Sequence, residues 1–197
     1  GKIVKIGDFD AEGLVELEDD KIVIPGFIDQ HIHGAAGSDA MDGTKEDLSK
    51  IACALAKEGT TAFLATTMTQ SPANIDKALN AVKEYIEEAP EEGAEILGVH
   101  LEGPFISKDF IGAQPLEYVA EPKVEVFKHY EEVSGNNIKL VSMAVEVEGA
   151  EDLVSYLASK GIVASIGHSN AKYADVEKAI KAGASNVTHT YNAQKPI

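Results

Sequence analysis

The feature that most constrains this chain is a regular alternation of apolar, strand-like runs with amphipathic, helix-like segments, which begins at residue 25. Six runs alternate with segments that have helical periodicity. The runs lie at residues 25–34, 60–67, 94–101, 138–145, 162–167 and 186–191. This pattern predicts a parallel sheet with right-handed helical crossovers, either as a doubly wound sheet or as a (β/α)8 barrel.

Polar residues at the ends of these runs favour the barrel. They include His31 and His33, then Glu102, His168 and His189. In (β/α)8 barrels the functional side chains come from the C-terminal ends of several strands. A doubly wound sheet usually offers a glycine-rich phosphate loop, and the sequence contains none. We therefore predict an α/β fold, a TIM-type (β/α)8 barrel that is incomplete in this chain, with about six strands.

The same five side chains predict a metal site. Alternation along a strand places His31 and His33 on one face, and Asp29 on that face is a candidate to hold a ligand ring through its second nitrogen. Three or four imidazole and carboxylate ligands serve one catalytic ion, whereas five suit two ions with Glu102 between them. The predicted reaction class is metal-assisted hydrolysis.

Two further histidines are left out of the predicted site. His100 shares a strand face with Glu102, so it either lines the site or is a buried neighbour of it. His129 lies on a charged helix, where a solvated position is the simpler interpretation.

Composition excludes several function classes. The net charge of −16 argues against a nucleic-acid partner, whose phosphates require a basic surface. All 17 basic residues are lysines, so the chain offers no guanidinium group for a phosphate. The single cysteine, Cys53, excludes an internal disulfide, and no apolar run is long enough for a membrane helix. We expect a cytoplasmic protein without a membrane partner.

Four motifs resemble the N-acetylglucosamine-6-phosphate deacetylase family of the amidohydrolase superfamily. They are PGFIDQHIHG at 25–34, HLEGPF at 100–105, IGHS at 166–169 and THTYNA at 188–193. The glutamate of the second motif is the specific feature, because other branches of the superfamily often place a carbamylated lysine there. The resemblance extends from about residue 22 to the end of the chain.

The resemblance implies a fold, a reaction and a set of site residues. Residues 1–24 would contribute strands of a small β-sandwich, including short runs at 2–6 and 14–17, and residues 25–197 the first six β/α units of the barrel. The reaction would release acetate from a 6-phosphorylated N-acetyl amino sugar. The cofactor would be one or two divalent ions, zinc or iron, and retention of His31 and His33 favours two. The implied substrate-binding residues are Ala113, Gln114, Asn192 and Ala193.

The resemblance also places some parts of the site outside these 197 residues. The family's acid/base aspartate and its substrate-binding arginine come later in the sequence, so no catalytic acid/base is assigned within the chain. The whole protein is expected to be a homodimer in which the neighbouring subunit helps to hold the phosphate. Two alternatives stay open, a non-catalytic truncated fragment and an amidohydrolase that acts on another amide or a cyclic imide.

Overall fold

The computed structural model describes residues 20–196, together with residues 5–7, 10, 12, 13, 15, 17 and 18. The two short strands expected at residues 2–6 and 14–17 fall largely outside the described residues. The proposed β-sandwich therefore stays a prediction.

The described chain alternates strands and helices from residue 27 onward. The strands are β1 (Phe27–Ile32), β2 (Gly34–Ala35), β3 (Ser38–Asp39), β4 (Thr60–Thr66), β5 (Glu95–Glu102), β6 (Ile138–Met143), β7 (Val163–Ile166) and β8 (Asn186–Val187). The helices are α1 (Lys45–Lys57), α2 (Pro72–Glu88), α3 (Val124–Val133), α4 (Ala150–Ser159) and α5 (Tyr173–Ala182), with single 3-10 turns at Ala40–Asp42 and Leu116–Tyr118. No helix in the described part of the chain is long and apolar enough to cross a membrane.

Six parallel strands form one sheet in the order β1-β4-β5-β6-β7-β8, while β2 and β3 form a small antiparallel pair beside it. In a flat sheet the first and last strands of this order would lie about 24 Å apart, five spacings of about 4.8 Å. The rings of His31 on β1 and His189 just after β8 are nevertheless only 5.5 Å apart. The sheet therefore curls into a half-barrel, which agrees with the predicted incomplete TIM-type fold.

Local sequence signals explain where the helices begin. The Thr44 hydroxyl accepts a hydrogen bond from the Asp47 backbone N–H at 3.1 Å and caps α1. Ser71 caps α2 in the same way, and Pro72 occupies the first helical position, where a missing N–H costs nothing. Apolar faces of all five helices pack on the outer side of the sheet in a buried core, in which Phe63 and Leu79 are fully inaccessible to solvent.

The last predicted strand was too long. We expected it to cover residues 186–191, but β8 ends at Val187. His189 and Tyr191 have positive φ angles of 29° and 73°, which no strand accommodates. The segment after β8 is therefore a series of turns, and these turns carry part of the candidate site.

Candidate metal and substrate site

One buried carboxylate, that of Glu102 at the end of β5, is the centre of the site. Two imidazoles contact its Oε2 atom: His33 Nε2 at 2.9 Å and His31 Nε2 at 3.3 Å. Two others contact its Oε1 atom: His189 Nε2 at 3.0 Å and His168 Nε2 at 3.2 Å. The structure thus brings all five predicted ligands together as two triads that share one carboxylate.

An irregularity in β1 orients the first pair. The β1–β4 pairing shifts register between Asp29 and Ile32, as at a β-bulge, which re-aims side chains. The Ile32 N–H between the two histidines donates to Thr66 Oγ1 at 3.0 Å, which anchors this strand end. Asp29 does not take the predicted role, because its carboxylate accepts the backbone N–H of His31 at 2.9 Å.

Strained turns orient the second pair. His168 and His189 lie two residues after the ends of β7 and β8, and both have φ in the left-handed region, at 49° and 29°. Such a conformation costs about 1–3 kcal/mol in a residue other than glycine, and it is concentrated at functional sites. Here it turns both rings towards Glu102, a feature that the sequence does not reveal.

The second nitrogen of each ring in this pair contacts a backbone carbonyl. His168 Nδ1 lies 2.9 Å from the Phe110 carbonyl oxygen, and His189 Nδ1 lies 3.0 Å from that of Asn192. A carbonyl oxygen only accepts, so each Nδ1 carries the proton. In its neutral form each ring then presents an unprotonated Nε2 to the carboxylate.

This arrangement fits a divalent ion. Lone pairs of neutral Nε2 atoms repel carboxylate oxygens at about 3 Å unless a proton or a metal ion lies between them. Three ligands of a tetrahedral ion with metal–nitrogen bonds of about 2.0–2.1 Å lie about 3.3 Å apart. Within the His168–His189–Glu102 triad the spacings are 3.0, 3.1 and 3.2 Å, and within the His31–His33–Glu102 triad 2.9, 3.3 and 3.4 Å. Both triads therefore have the donor chemistry and the spacing of a metal site.

Charge is distributed unevenly within this cluster. Burial opposes ionisation of Glu102, but hydrogen bonds with the surrounding imidazoles outweigh it and lower the pKa of this carboxyl far below its usual range. Burial also opposes the charged form of His33 and His168, yet the contact of each ring with Glu102 raises both pKa values above 6.5. The contacts with Glu102 therefore favour the protonated forms of His33 and His168.

A match to a family model decides the wider affiliation. The model of the amidohydrolase family covers residues 22–196, which is most of the chain. The chain belongs to the amidohydrolase family. Amidohydrolases are generally metal-dependent, which agrees with the two His/Glu triads.

Relatives of this amidohydrolase chain have a common name. This chain is 43% identical to the N-acetylglucosamine-6-phosphate deacetylase of Lysinibacillus sphaericus, and the match covers 100% of this chain and 51% of that protein. It is 44% identical to the enzyme of the same name from Bacillus subtilis, across 93% of this chain and 47% of the relative. The chain thus spans about half the length of the curated relatives it matches.

A solved structure agrees with this affiliation. It is a mutant of N-acetyl-D-glucosamine-6-phosphate deacetylase from Mycobacterium smegmatis in complex with N-acetyl-D-glucosamine-6-phosphate. It superimposes with a TM-score of 0.81 at 30% sequence identity, over 88% of this chain and 44% of that one.

The four predicted substrate residues of this amidohydrolase line a common cavity of about 300 Å³ with the five predicted ligands. Ala113 and Gln114 come from the loop after β5, and Asn192 and Ala193 from the turns after β8. Sequence analysis missed two further lining residues, Met68 and Gly112, which have no chemical signal of their own. The structure places all nine predicted residues in one site, while their individual roles remain predictions.

Gln114 is held firmly at the cavity wall. Its side chain is 4% exposed, and its Oε1 atom accepts the Thr69 backbone N–H at 2.5 Å. This bond fixes the orientation of the amide group, whose NH2 is a donor for a ligand oxygen.

His100 lies beneath the cluster in a buried chain of hydrogen bonds. Its Nδ1 contacts the Gln30 carbonyl oxygen at 3.0 Å, so Nε2 accepts from the Ser142 hydroxyl at 2.7 Å. Ser142 then accepts from Thr188 at 2.5 Å, and Thr188 from Ser165 at 2.6 Å. Burial, with the nearby His31, lowers the pKa of His100 to about 3, so the ring is neutral. It is the buried neighbour of the site.

His129 is outside the site, as predicted. It lies on α3, half exposed, and its Nε2 contacts Asp76 at 2.9 Å on α2. This pair links two neighbouring helices on the surface and is worth about 0–1 kcal/mol.

Proposed function

We propose that the whole protein is an N-acetylglucosamine-6-phosphate deacetylase, which hydrolyses the N-acetyl amide to glucosamine 6-phosphate and acetate. One observation carries the proposal: four imidazole Nε2 atoms meet the two oxygens of Glu102 in a cavity of sugar-sized volume. The names of the relatives and the sugar phosphate bound in the M. smegmatis structure supply the substrate class.

The proposed ligands are His31, His33, Glu102, His168 and His189, and they would hold one or two ions of zinc or iron. An ion there would supply Lewis acidity, which polarises a carbonyl and lowers the pKa of water. The chain's own contribution is orientation. The Phe110 and Asn192 carbonyls fix the His168 and His189 tautomers, and Glu102 provides a single negative charge that both triads share.

The substrate would lie between two loops. Gln114 and the segment Asn192–Ala193 both line the cavity, where they would orient the sugar and its acetyl group. The acid/base group is not assigned to any residue of this chain. Its expected position in a later strand stays a prediction.

Phosphate recognition supports the proposal of a homodimer. The chain has no arginine, and no lysine is among the described residues that line the cavity. The described cavity lining thus offers no cationic side chain for a 6-phosphate, so a later part of the same chain or a second subunit would supply one. Sedimentation of the full-length protein would test the dimer, and a monomer that is fully active would contradict it.

The decisive experiment is an assay on the full-length protein. It is stripped with a chelator, reloaded with zinc or iron(II), and given N-acetylglucosamine 6-phosphate. We expect acetate release that requires the metal and that falls by at least 100-fold without the 6-phosphate, about 2.7 kcal/mol of lost transition-state stabilisation.

Two outcomes would overturn the proposal. Faster turnover of another amide or a cyclic imide than of the sugar phosphate would favour a different amidohydrolase activity. Absence of acetate release from metal-loaded protein, with metal bound at the expected stoichiometry, would leave only a binding role.

A further inference from the structure

The backbone at His168 has a strained conformation, which contacts with neighbouring residues must stabilise. Its φ angle of 49° is unfavourable for a residue with a Cβ atom, and its side chain is 6% exposed. Gly167 before it follows directly on β7, so the restraint must come from the residues after His168 and from neighbouring loops.

The carboxylate of Glu146 holds the two residues that follow His168. Its Oε2 atom accepts the Ser169 hydroxyl at 2.6 Å, and its Oε1 atom accepts the Asn170 backbone N–H at 2.6 Å. Hydrogen bonds to an ionised acceptor are short and about twice as strong as neutral ones. Glu146 belongs to the loop after β6, so these bonds tie the ends of two adjacent strands together.

The contacts continue around His168 in a closed ring. Asn170 donates its side-chain N–H to Asp109 at 3.0 Å, on the loop that also supplies the Phe110 carbonyl to His168 Nδ1 at 2.9 Å. The Ser107 backbone N–H on the same loop donates to the His168 carbonyl at 2.8 Å. Glu146 supplies two bonds that attach this ring to the loop after β6.

Ser169 also reaches the substrate side of the cavity. Its backbone N–H donates to the Ala193 carbonyl at 3.2 Å, and its carbonyl accepts the Lys195 N–H at 3.0 Å. The residue that Glu146 holds through its hydroxyl is therefore the one that pairs with the segment carrying Ala193. One carboxylate outside the cavity is therefore linked through hydrogen bonds to the neighbours of both a proposed ligand and a proposed substrate contact.

We propose that Glu146 is a positioning residue of this site, which sets the orientation of His168 and the position of Ala193 through Ser169 and Asn170. This inference rests on the proposed metal-dependent function, and it adds a residue that touches neither ligand ring nor cavity. Outer partners of metal ligands typically contribute about 10–100-fold to metal affinity or activity.

The test compares zinc affinity of full-length variants, measured by competition with a chromophoric chelator. Glu146→Ala removes both bonds, whereas Glu146→Gln keeps one acceptor. We expect the affinity to fall by about 10–100-fold for Glu146→Ala and by less for Glu146→Gln. The absorption spectrum of the cobalt-loaded protein should change, and KM should rise as kcat falls because Ala193 shifts as well.

Glu148→Ala is the matched control, because Glu148 is exposed and lies two residues along the same loop. It should bind zinc as the unsubstituted protein does. Ser169→Ala should reproduce part of the Glu146→Ala loss, and the double variant should lose less than the product of the two factors. If Glu146→Ala does not fold, Glu146→Gln and Ser169→Ala still report on the same contacts.

Zinc affinity within twofold of the unsubstituted protein in Glu146→Ala, or an equal loss in Glu148→Ala, would overturn the inference. The readouts also separate it from the proposed function. If the unsubstituted protein binds zinc but releases no acetate, the function fails while the affinity comparison still decides the role of Glu146. If it binds no zinc, both fail.

Discussion

The side chains of His100 and Glu102 lie two residues apart on the same face of β5, and at neutral pH the first is uncharged and the second is ionised. Burial lowers the pKa of His100 to about 3, so the imidazole is neutral. Glu102 is buried as well, yet its imidazole contacts lower its pKa and keep it ionised. Negative charge is thereby confined to the layer that faces the cavity, and a neutral hydrogen-bonded layer lies beneath it.

Replacement of Glu102 should affect both triads at once. Glu102→Gln keeps the shape but removes the shared charge, so we expect loss of stoichiometric metal and at least a 100-fold decrease in activity, about 2.7 kcal/mol. Metal content by atomic emission and acetate release measure the two effects. Glu95→Gln, at the exposed start of β5, is the control and should retain metal. A Glu102→Gln variant with full metal content would contradict the proposed ligand set.

Metal binding should release protons. Contact with Glu102 prevails over burial and raises the pKa values of His33 and His168, so the metal-free rings hold protons at pH values where a free imidazole has lost them. These contacts stabilise the metal-free protein below pH 6.5, and the stabilisation is lost as pH rises through the raised pKa values. Metal affinity should therefore rise with pH up to and beyond 6.5. Calorimetry in buffers of different ionisation enthalpy counts the protons, and a pH-independent affinity would refute this.

Removal of His100 should destabilise the fold. His100→Leu leaves the Gln30 carbonyl and the Ser142 hydroxyl without their partner in the barrel interior. Each unsatisfied buried group costs about 1–3 kcal/mol, so we expect a loss of about 2–6 kcal/mol in the free energy of unfolding. Urea denaturation of the full-length protein measures it. The surface variant His129→Leu should cost about 1 kcal/mol or less, and an equal cost for both would show that the buried chain contributes little.

His100 should also shape acid stability. Because its pKa falls from 6.5 to about 3 on folding, the unfolded chain binds a proton between these pH values that the folded chain does not. The free energy of unfolding should decrease by about 1.4 kcal/mol per pH unit as the pH falls through that window, from this group alone. In His100→Leu the free energy of unfolding should depend less steeply on pH than in the unsubstituted metal-free protein. The difference should correspond to one proton fewer taken up on unfolding. Equal slopes would mean that His100 protonates in the folded state.

A methyl group at position 112 should obstruct the cavity without disturbing the metal. A Cβ atom on Gly112 would lie 3.3 Å from His168 Cε1 and 3.4 Å from Ala193 Cβ. We expect Gly112→Ala to raise KM by about tenfold, or about 1.4 kcal/mol of binding free energy, with unchanged metal content. Gly37→Ala is the matched control, because Gly37 also has a positive φ, of 78°, but nothing within 4 Å of its Cβ position. A similar KM increase in both variants would point to backbone strain instead.

Periodicity and strand-end chemistry predicted much of this structure. The alternation of patterns placed the six strands and five helices, and polar residues at strand ends indicated the five side chains that meet at Glu102. The prediction succeeds there because parallel strands bring their C-terminal ends to one rim, so residues far apart in sequence must converge.

Other features depended on contacts that periodicity does not encode. His168 and His189 adopt left-handed backbone conformations although neither is a glycine, and β8 is shorter than predicted. Asp29 was a candidate to hold a ligand ring, but its carboxylate accepts the local backbone N–H of His31 instead. The sequence analysis gave Glu146 no role, and only the folded loops reveal its partners.

Because the sheet is curled, the histidine cluster also connects the two edges of the half-barrel. His31 lies on the first strand of the sheet and His189 just beyond the last, so the cluster joins the two margins of the half-barrel through Glu102 in the middle. An ion held by these side chains would act as a non-covalent cross-link between the two margins of the sheet, and because it binds the folded chain in preference to the unfolded one, it would stabilise the curled sheet. Binding of metal would therefore be coupled to the stability of the curled sheet.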